Sequence, residues 1–438
     1  MEVPALKYEL GDSYLYGGLH NIGFRMVGVP GGKLLIKNAA TPHSRSTTDI
    51  LVEDGAISAV GTLEGEGMDV GGRLVMPGFV NVHTHLDKAD LLSKMSPDQY
   101  GKSLEENREL LKALKKNYRV EEIRERAGRV IDEFIANGVT AIRTQVDVDA
   151  TGGLKPLEAL TQLRDASRAE LQICAFPQEG VLREDCLGRV EDALKSGADL
   201  LGGLPLVEKT REEQLQHIEV LCELAVKHDV DLEVQVDESN NPEDFLLPVL
   251  AEKTIEYGLQ GRVSATHCIS LSAVDDKIAQ ETIRLVKEAM MNVIVTPSAN
   301  MITRFDTADD VHSRASNSIT RVKELLAAGV NVAVGTDNIR DIFYPLGNCS
   351  MLRELHVLAS ATRMTGEEDP VRLLGMGSAN GASIMGLNYG LEKGCTGDLI
   401  VLNARNAREA LNTTPVIPYV IKGGHVVCES VHEVEHGG

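Results

Sequence analysis

The chain has 438 residues, 43% of them hydrophobic and 25% charged, which is enough to bury one large core beside a smaller domain without disulfide staples. Its formal net charge is -21, from 65 acidic and 44 basic residues, and such a surface repels nucleic-acid phosphates and anionic lipid; a neutral or cationic small molecule is the expected partner. The seven cysteines, at 174, 186, 222, 268, 349, 395 and 428, form no CxxC pair, which excludes a zinc ribbon and points to a reducing cytoplasm.

In chain order, residues 1–10 lack a basic start followed by an apolar block, and no later stretch reaches membrane-spanning length, so neither export nor a membrane is expected. Residues 1 to about 30 are glycine-dotted and weakly patterned. The segments 33–37, 49–53 and 56–60 read as strands, the last two joined by an Asp54-Gly55 hairpin turn. Then short apolar runs alternate with helix-length amphipathic stretches: 74–82, 139–148, 171–176, 200–204, 232–236, 263–267, 293–296 and 330–335. Periodic segments such as 121–136, introduced by Val120, and 320–328 are closed by Gly138 and Gly329. Beyond them 398–402, 418–422 and 425–427 read as strands, with a Gly423-Gly424 turn, and the tail 432–438 reads as frayed.

Eight such strands with helical crossovers predict an α/β fold, a (β/α)8 TIM barrel at 74–387. A small β-sandwich domain is built from both chain ends, 1–73 and 388–438. Barrel enzymes place their chemistry at the carboxyl ends of the strands, and there the polar residues gather. The first strand ends in His83-Thr84-His85. Residues i and i+2 share a face, so both imidazoles project into the barrel mouth and can grip one metal ion. A carboxylate from the strand 5 end, Glu233 to Glu238, with His267 at strand 6 and Asp337 at strand 8, can converge on the same point. Gln178, after strand 3, carries an amide that can read an adjacent N–H and C=O on a ring edge.

These residues resemble the cytosine deaminase branch of the amidohydrolase superfamily, which includes the alkylammelide hydrolases. The matching pieces are His83-Thr84-His85-Leu86-Asp87, Arg143-Thr144-Gln145-Val146-Asp147-Val148, Ala175-Phe176-Pro177-Gln178-Glu179-Gly180, Asp237-Glu238, Thr320-Arg321-Val322-Lys323-Glu324, Gly335-Thr336-Asp337-Asn338 and Tyr344-Pro345-Leu346-Gly347. The resemblance implies one divalent metal ion, zinc or iron, held by His83, His85 and Asp337. It makes Glu238 a proton shuttle and His267 a group that polarises the attacking water. Gln178 and Asn338 would hold the substrate ring and Phe343 would line the pocket.

The implied reaction is hydrolytic deamination of a small nitrogen heterocycle such as a pyrimidine or triazine. Hydrolysis of an exocyclic N-alkyl or amide bond is the alternative, and a non-catalytic binding protein on the same scaffold is a third. Homo-oligomers are common in the family, and no feature of the sequence sets a subunit number. Several positions depart from the pattern. Gln235 stands where the family has a third histidine ligand and offers only a neutral carbonyl oxygen, so three outcomes are open: weak ligation by Gln235, a water in its place, or His267 moving into the coordination shell. Gln145, Leu206 and Thr336 replace other histidines, and Asn338 replaces an aspartate that holds the base in cytosine deaminases. These changes point away from cytosine itself as the substrate.

Overall fold

The structure, a computed structural model, describes residues 22–26, 32–44, 46–96, 104–302 and 317–432; the readings of residues 1–10 and of the tail from 433 onward lie outside them. Eight parallel strands pair in sequence order. They are β1 (Phe79–Thr84), β2 (Val139–Asp147), β3 (Glu170–Phe176), β4 (Leu200–Gly203), β5 (Leu232–Val236), β6 (Val263–His267), β7 (Asn292–Val295) and β8 (Asn331–Val334). The ring closes at its mouth through a parallel bridge between Thr84 and Asp337. There Asp337 N–H donates to His83 O at 2.9 Å and Thr84 Oγ1 donates to Asp337 O at 2.7 Å. The chain is therefore a (β/α)8 barrel, with sheets from both chain ends beside it.

The expected first run, 74–82, is two strands. Leu74–Pro77 pairs antiparallel with Leu399–Leu402 in the small sheet, and only after Gly78 does the barrel begin. Gly78 is required where the chain crosses between sheets, because a Cβ there would lie 2.1 Å from Thr140 Oγ1. The small sheet runs Ile22–Met26, His425–His432, Tyr419–Lys422, Leu399–Leu402, Leu74–Pro77. A second sheet of Ala56–Gly61, Thr48–Glu53, Lys33–Ala39 and Met68–Asp69 packs on it through Ile36, Ile50, Val52, Val75, Leu399 and Ile421. Strand Ile22–Met26 was not expected. A single five-residue strand with an internal glycine carries no alternation strong enough to read, and it pairs with His425–His432, whose last residue was assigned to the frayed tail.

Helices such as Val120–Ala136 and Asp276–Glu288 bury one face against the barrel. The first ends at Gly138, whose φ of +82° and tight contacts suit only glycine; an added Cβ would lie 2.6 Å from Ile417 Cδ1. Gly138→Ala is expected to destabilise the protein by about 1–3 kcal/mol, read as a lower denaturation midpoint with an unchanged slope. Inside the barrel, Val80, Val82, Ala141, Ile294 and Ala333 pack on Ala382, Ile384 and Met385, forming an apolar floor. Above that floor the interior becomes polar, beginning with Arg143, whose guanidinium donates to Ile384 O at 3.0 Å and to Glu233 Oε2 at 3.1 Å.

Candidate metal centre and active site

Three strand ends turn sharply at the barrel mouth, with left-handed backbone at Asp237 (φ 57°), His267 (φ 74°) and Asp337 (φ 63°). Non-glycine residues hold this conformation only where their surroundings fix it, and such positions cluster at functional sites. Asp237 shows how it is fixed. Its carboxylate accepts the backbone N–H groups of Leu246 at 2.6 Å and Leu247 at 3.1 Å, and its carbonyl accepts those of Ile269 and Ser270. Asp237 thereby anchors the chain immediately before Glu238.

The two strand 1 imidazoles stand edge to face, 5.2 Å between centroids, and both aim Nε2 at Asp337 Oδ1, at 3.6 Å from His83 and 3.3 Å from His85. Candidate ligand atoms of His83, His85 and Asp337 lie within 4.8 Å of one another, as do those of Glu238, His267 and Asp337. Asp337 thus joins two overlapping groups. His267 Nε2 is 3.8 Å from Glu238 Oε2, and the Glu238 side chain, 34% exposed, is the open edge of an otherwise buried cluster.

The hydrogen bonds behind these rings set which nitrogens are free. His83 Nδ1 lies 2.5 Å from Glu233 Oε1, an acceptor, so Nδ1 carries the proton. His267 Nδ1 lies 3.1 Å from Thr296 Oγ1 and 3.3 Å from Asn300 Nδ2, contacts that fix the ring and aim Nε2 into the site. The Nε2 atoms of His83 and His267 are both buried with no hydrogen-bond partner, an arrangement that asks for a cation or a reacting group. The electrostatics favour positive charge here. Burial disfavours a charged His83, yet the Asp337 and Glu233 carboxylates outweigh it and lift its pKa to about 9, while His85 is pushed down to about 4 by burial and then by Lys88. The same rings hold Asp337 well below the usual carboxylate range despite its burial. A site with this potential, buried imidazole nitrogens and a carboxylate fits a divalent metal ion.

Gln235 turns its amide to this group, with Nε2 3.4 Å from His85 Nε2. Asn338 donates from Nδ2 to Asp341 Oδ2 at 2.6 Å, and Asp341 Oδ1 accepts the backbone N–H groups of Phe343 at 2.9 Å and Tyr344 at 3.0 Å. Phe343 therefore meets the site through a carboxylate shared with Asn338, its own ring packing on the main core. Gln178 follows Phe176, whose ring lies edge-on to His85 at 5.6 Å, and its Oε1 is buried with no partner. Positions with other residues in place of the family's histidines have local duties. Gln145 donates to Glu233 Oε1 at 2.9 Å, Thr336 pairs with Asn81, and Leu206 sits in the short turn Pro205–Val207.

Sequence reading did not single out Glu233, Thr296, Asn300 or Asp341, the groups that orient the predicted residues. Glu233 had a visible signal: an acidic residue two positions before Gln235 in a strand buried on both faces. It receives His83, Gln145, Arg143 and Thr266. Glu233→Gln is expected to weaken metal binding by about 10–100-fold, measured by competition with a chromophoric chelator; unchanged affinity would remove Glu233 from the support of His83.

With this geometry in view, the relatives are informative. A profile of the amidohydrolase family matches residues 100–428, and the chain belongs to that family. It is 29% identical over 409 residues to N-isopropylammelide isopropyl amidohydrolase of Pseudomonas sp. strain ADP, covering 90% of this chain and 97% of that protein. It is 28% identical to pterin deaminase of Rhizobium rhizogenes, covering 87% and 88%. Among solved structures, 5-methylcytosine deaminase from Klebsiella pneumoniae, liganded with 5-fluorocytosine, superposes with a TM-score of 0.84 at 30% identity, covering 92% and 99%.

Proposed function

We propose that the chain is a cytoplasmic, zinc- or iron-dependent hydrolase that deaminates a small nitrogen heterocycle of the pyrimidine, pterin or triazine kind. The observation that carries this reading is the meeting of two groups on Asp337: the His83–His85 pair on one side and the Glu238–His267 pair on the other. His83, His85 and Asp337 would hold the ion, with Gln235 alongside. When bound, it supplies a Lewis acid that makes water nucleophilic at neutral pH.

The remaining chemistry falls to the chain's own side chains. Glu238, partly open to solvent beside His267, takes a proton from the attacking water and delivers it to a ring nitrogen, which makes the ring carbon electrophilic. Once the hydroxyl has added to that carbon, its remaining proton passes through Glu238 to the amine; the carbon–nitrogen bond breaks, ammonia leaves and a carbonyl forms. His267, its ring fixed through Nδ1 by Thr296, presents Nε2 to the oxygen that gains charge at the tetrahedral centre. Gln178 and Asn338 hold the ring edge, Asn338 with its amide tethered by Asp341. Phe343 borders the pocket.

A second reading, loss of an N-alkylamine in place of ammonia, is favoured by the similarity to N-isopropylammelide isopropyl amidohydrolase. The two share the water and the shuttle and differ in the leaving group. Assaying metal-replete protein against cytosine, 5-methylcytosine, pterin and N-isopropylammelide, with ammonia and isopropylamine quantified separately, decides between them. No release of either amine from this panel and its close analogues would count against both.

A further inference from the structure

A second cluster shares His85 with the metal centre. His85, Asp87 and Asp147 bring candidate ligand atoms within 4.8 Å of one another, which makes the imidazole a link between two cation-binding groups: Nε2 faces Asp337, and Nδ1 faces this second cluster. All three residues are buried.

The second cluster is already filled by the chain itself. Lys88 is fully buried, and its Nζ lies 2.8 Å from Asp147 Oδ1, 3.1 Å from His85 Nδ1 and 3.4 Å from Asp87 Oδ1. The ammonium donates to Asp147 Oδ1 and stands beside Asp87 Oδ1 and His85 Nδ1. Asp147 Oδ2 pairs with the buried Lys115 at 2.5 Å, and Lys115 also pairs with the buried Asp149, so three carboxylates, Asp87, Asp147 and Asp149, face two ammoniums, Lys88 and Lys115. Removing Lys88 would leave a buried negative charge without its partner beside a set of one imidazole nitrogen and two carboxylates, a donor set that suits zinc, cobalt or manganese.

We propose that the Lys88 ammonium is a resident cation that occupies the His85–Asp87–Asp147 cluster and so confines the centre to a single metal ion. This inference rests on His83, His85 and Asp337 forming the metal site. It assigns Lys88 a positioning role, fixing the ring of His85 from behind and closing the adjoining site to a second ion.

The test is a zinc titration of the full chain, with bound metal counted by mass spectrometry after gel filtration. Wild type is expected to retain about one zinc per chain and Lys88→Ala about two. Lys88→Met, whose stem fills the space without charge, and the double variant K88A/D147N are each expected to return to about one. A folded Lys88→Ala protein that retains no more zinc than wild type overturns the inference. Should Lys88→Ala be unstable, excess zinc is expected to raise its melting temperature well beyond any rise in wild type, because the ion replaces the lost ammonium; equal shifts, or no restoration of the fold, also overturn it. The first zinc equivalent in wild type tests the metal centre, and the additional equivalent in the variant tests Lys88, so the two readings fail separately.

Discussion

Glu238→Gln is expected to lower kcat by about 10³-fold or more while leaving the metal content of the purified protein unchanged. The exchange keeps the shape of the side chain and removes its ability to accept and return a proton. It spares His83, His85 and Asp337, whose mutual contacts do not involve Glu238. His267 Nε2, 3.8 Å from Glu238 Oε2, is itself held through Nδ1 by Thr296 and stays in place without the carboxylate. Steady-state kinetics and metal analysis on one preparation give both readings. Activity within a few-fold of wild type would take Glu238 out of the mechanism; loss of metal would make it part of the binding site instead.

Replacing both strand 1 histidines, H83A/H85A, is expected to remove the metal and to cut activity by at least about 10⁴-fold, since the Lewis acid that activates water goes with them. The rings are 0% and 4% exposed, so the change also opens a cavity and strands Glu233 without its imidazole partner. Breaking a buried pair in this way costs about 3–5 kcal/mol, and the melting temperature should fall accordingly. Circular dichroism checks that the variant is folded before its metal is counted. A folded variant that keeps both metal and rate would refute the assignment of the centre.

The regular parts of the fold were legible because their signals are local. All eight barrel strands fall on apolar runs, and the turns Asp54-Gly55 and Gly423-Gly424 carry the left-handed pairs that two-residue hairpins need. The run at 74–82 misled because one stretch of apolar residues serves two sheets, and the break at Gly78 is set by contact with Thr140, sixty-odd positions away in the chain. In the site, residues at strand ends could be placed from the barrel rule, and the structure brings Glu238, His267 and Asp337 together with the strand 1 pair. The role of their supports was harder to read. Lys88, Lys115, Asp147, Arg143 and Glu233 are charged residues that composition alone assigns to the surface, and all five are buried because each meets its partner only after the chain has folded.

The bridge between Thr84 and Asp337 has a consequence for assembly. It joins the first barrel strand to the last across a sequence separation of 253 residues, and the same Asp337 faces both imidazoles. The ion pocket is thus the clasp of the hoop: it exists only once the final strand has docked, so an incomplete or nascent chain has nothing with which to capture metal. Conversely, a bound ion would fasten the join, and amide hydrogen exchange along β1 and β8 should slow on loading more than exchange along β3 and β4, away from the join.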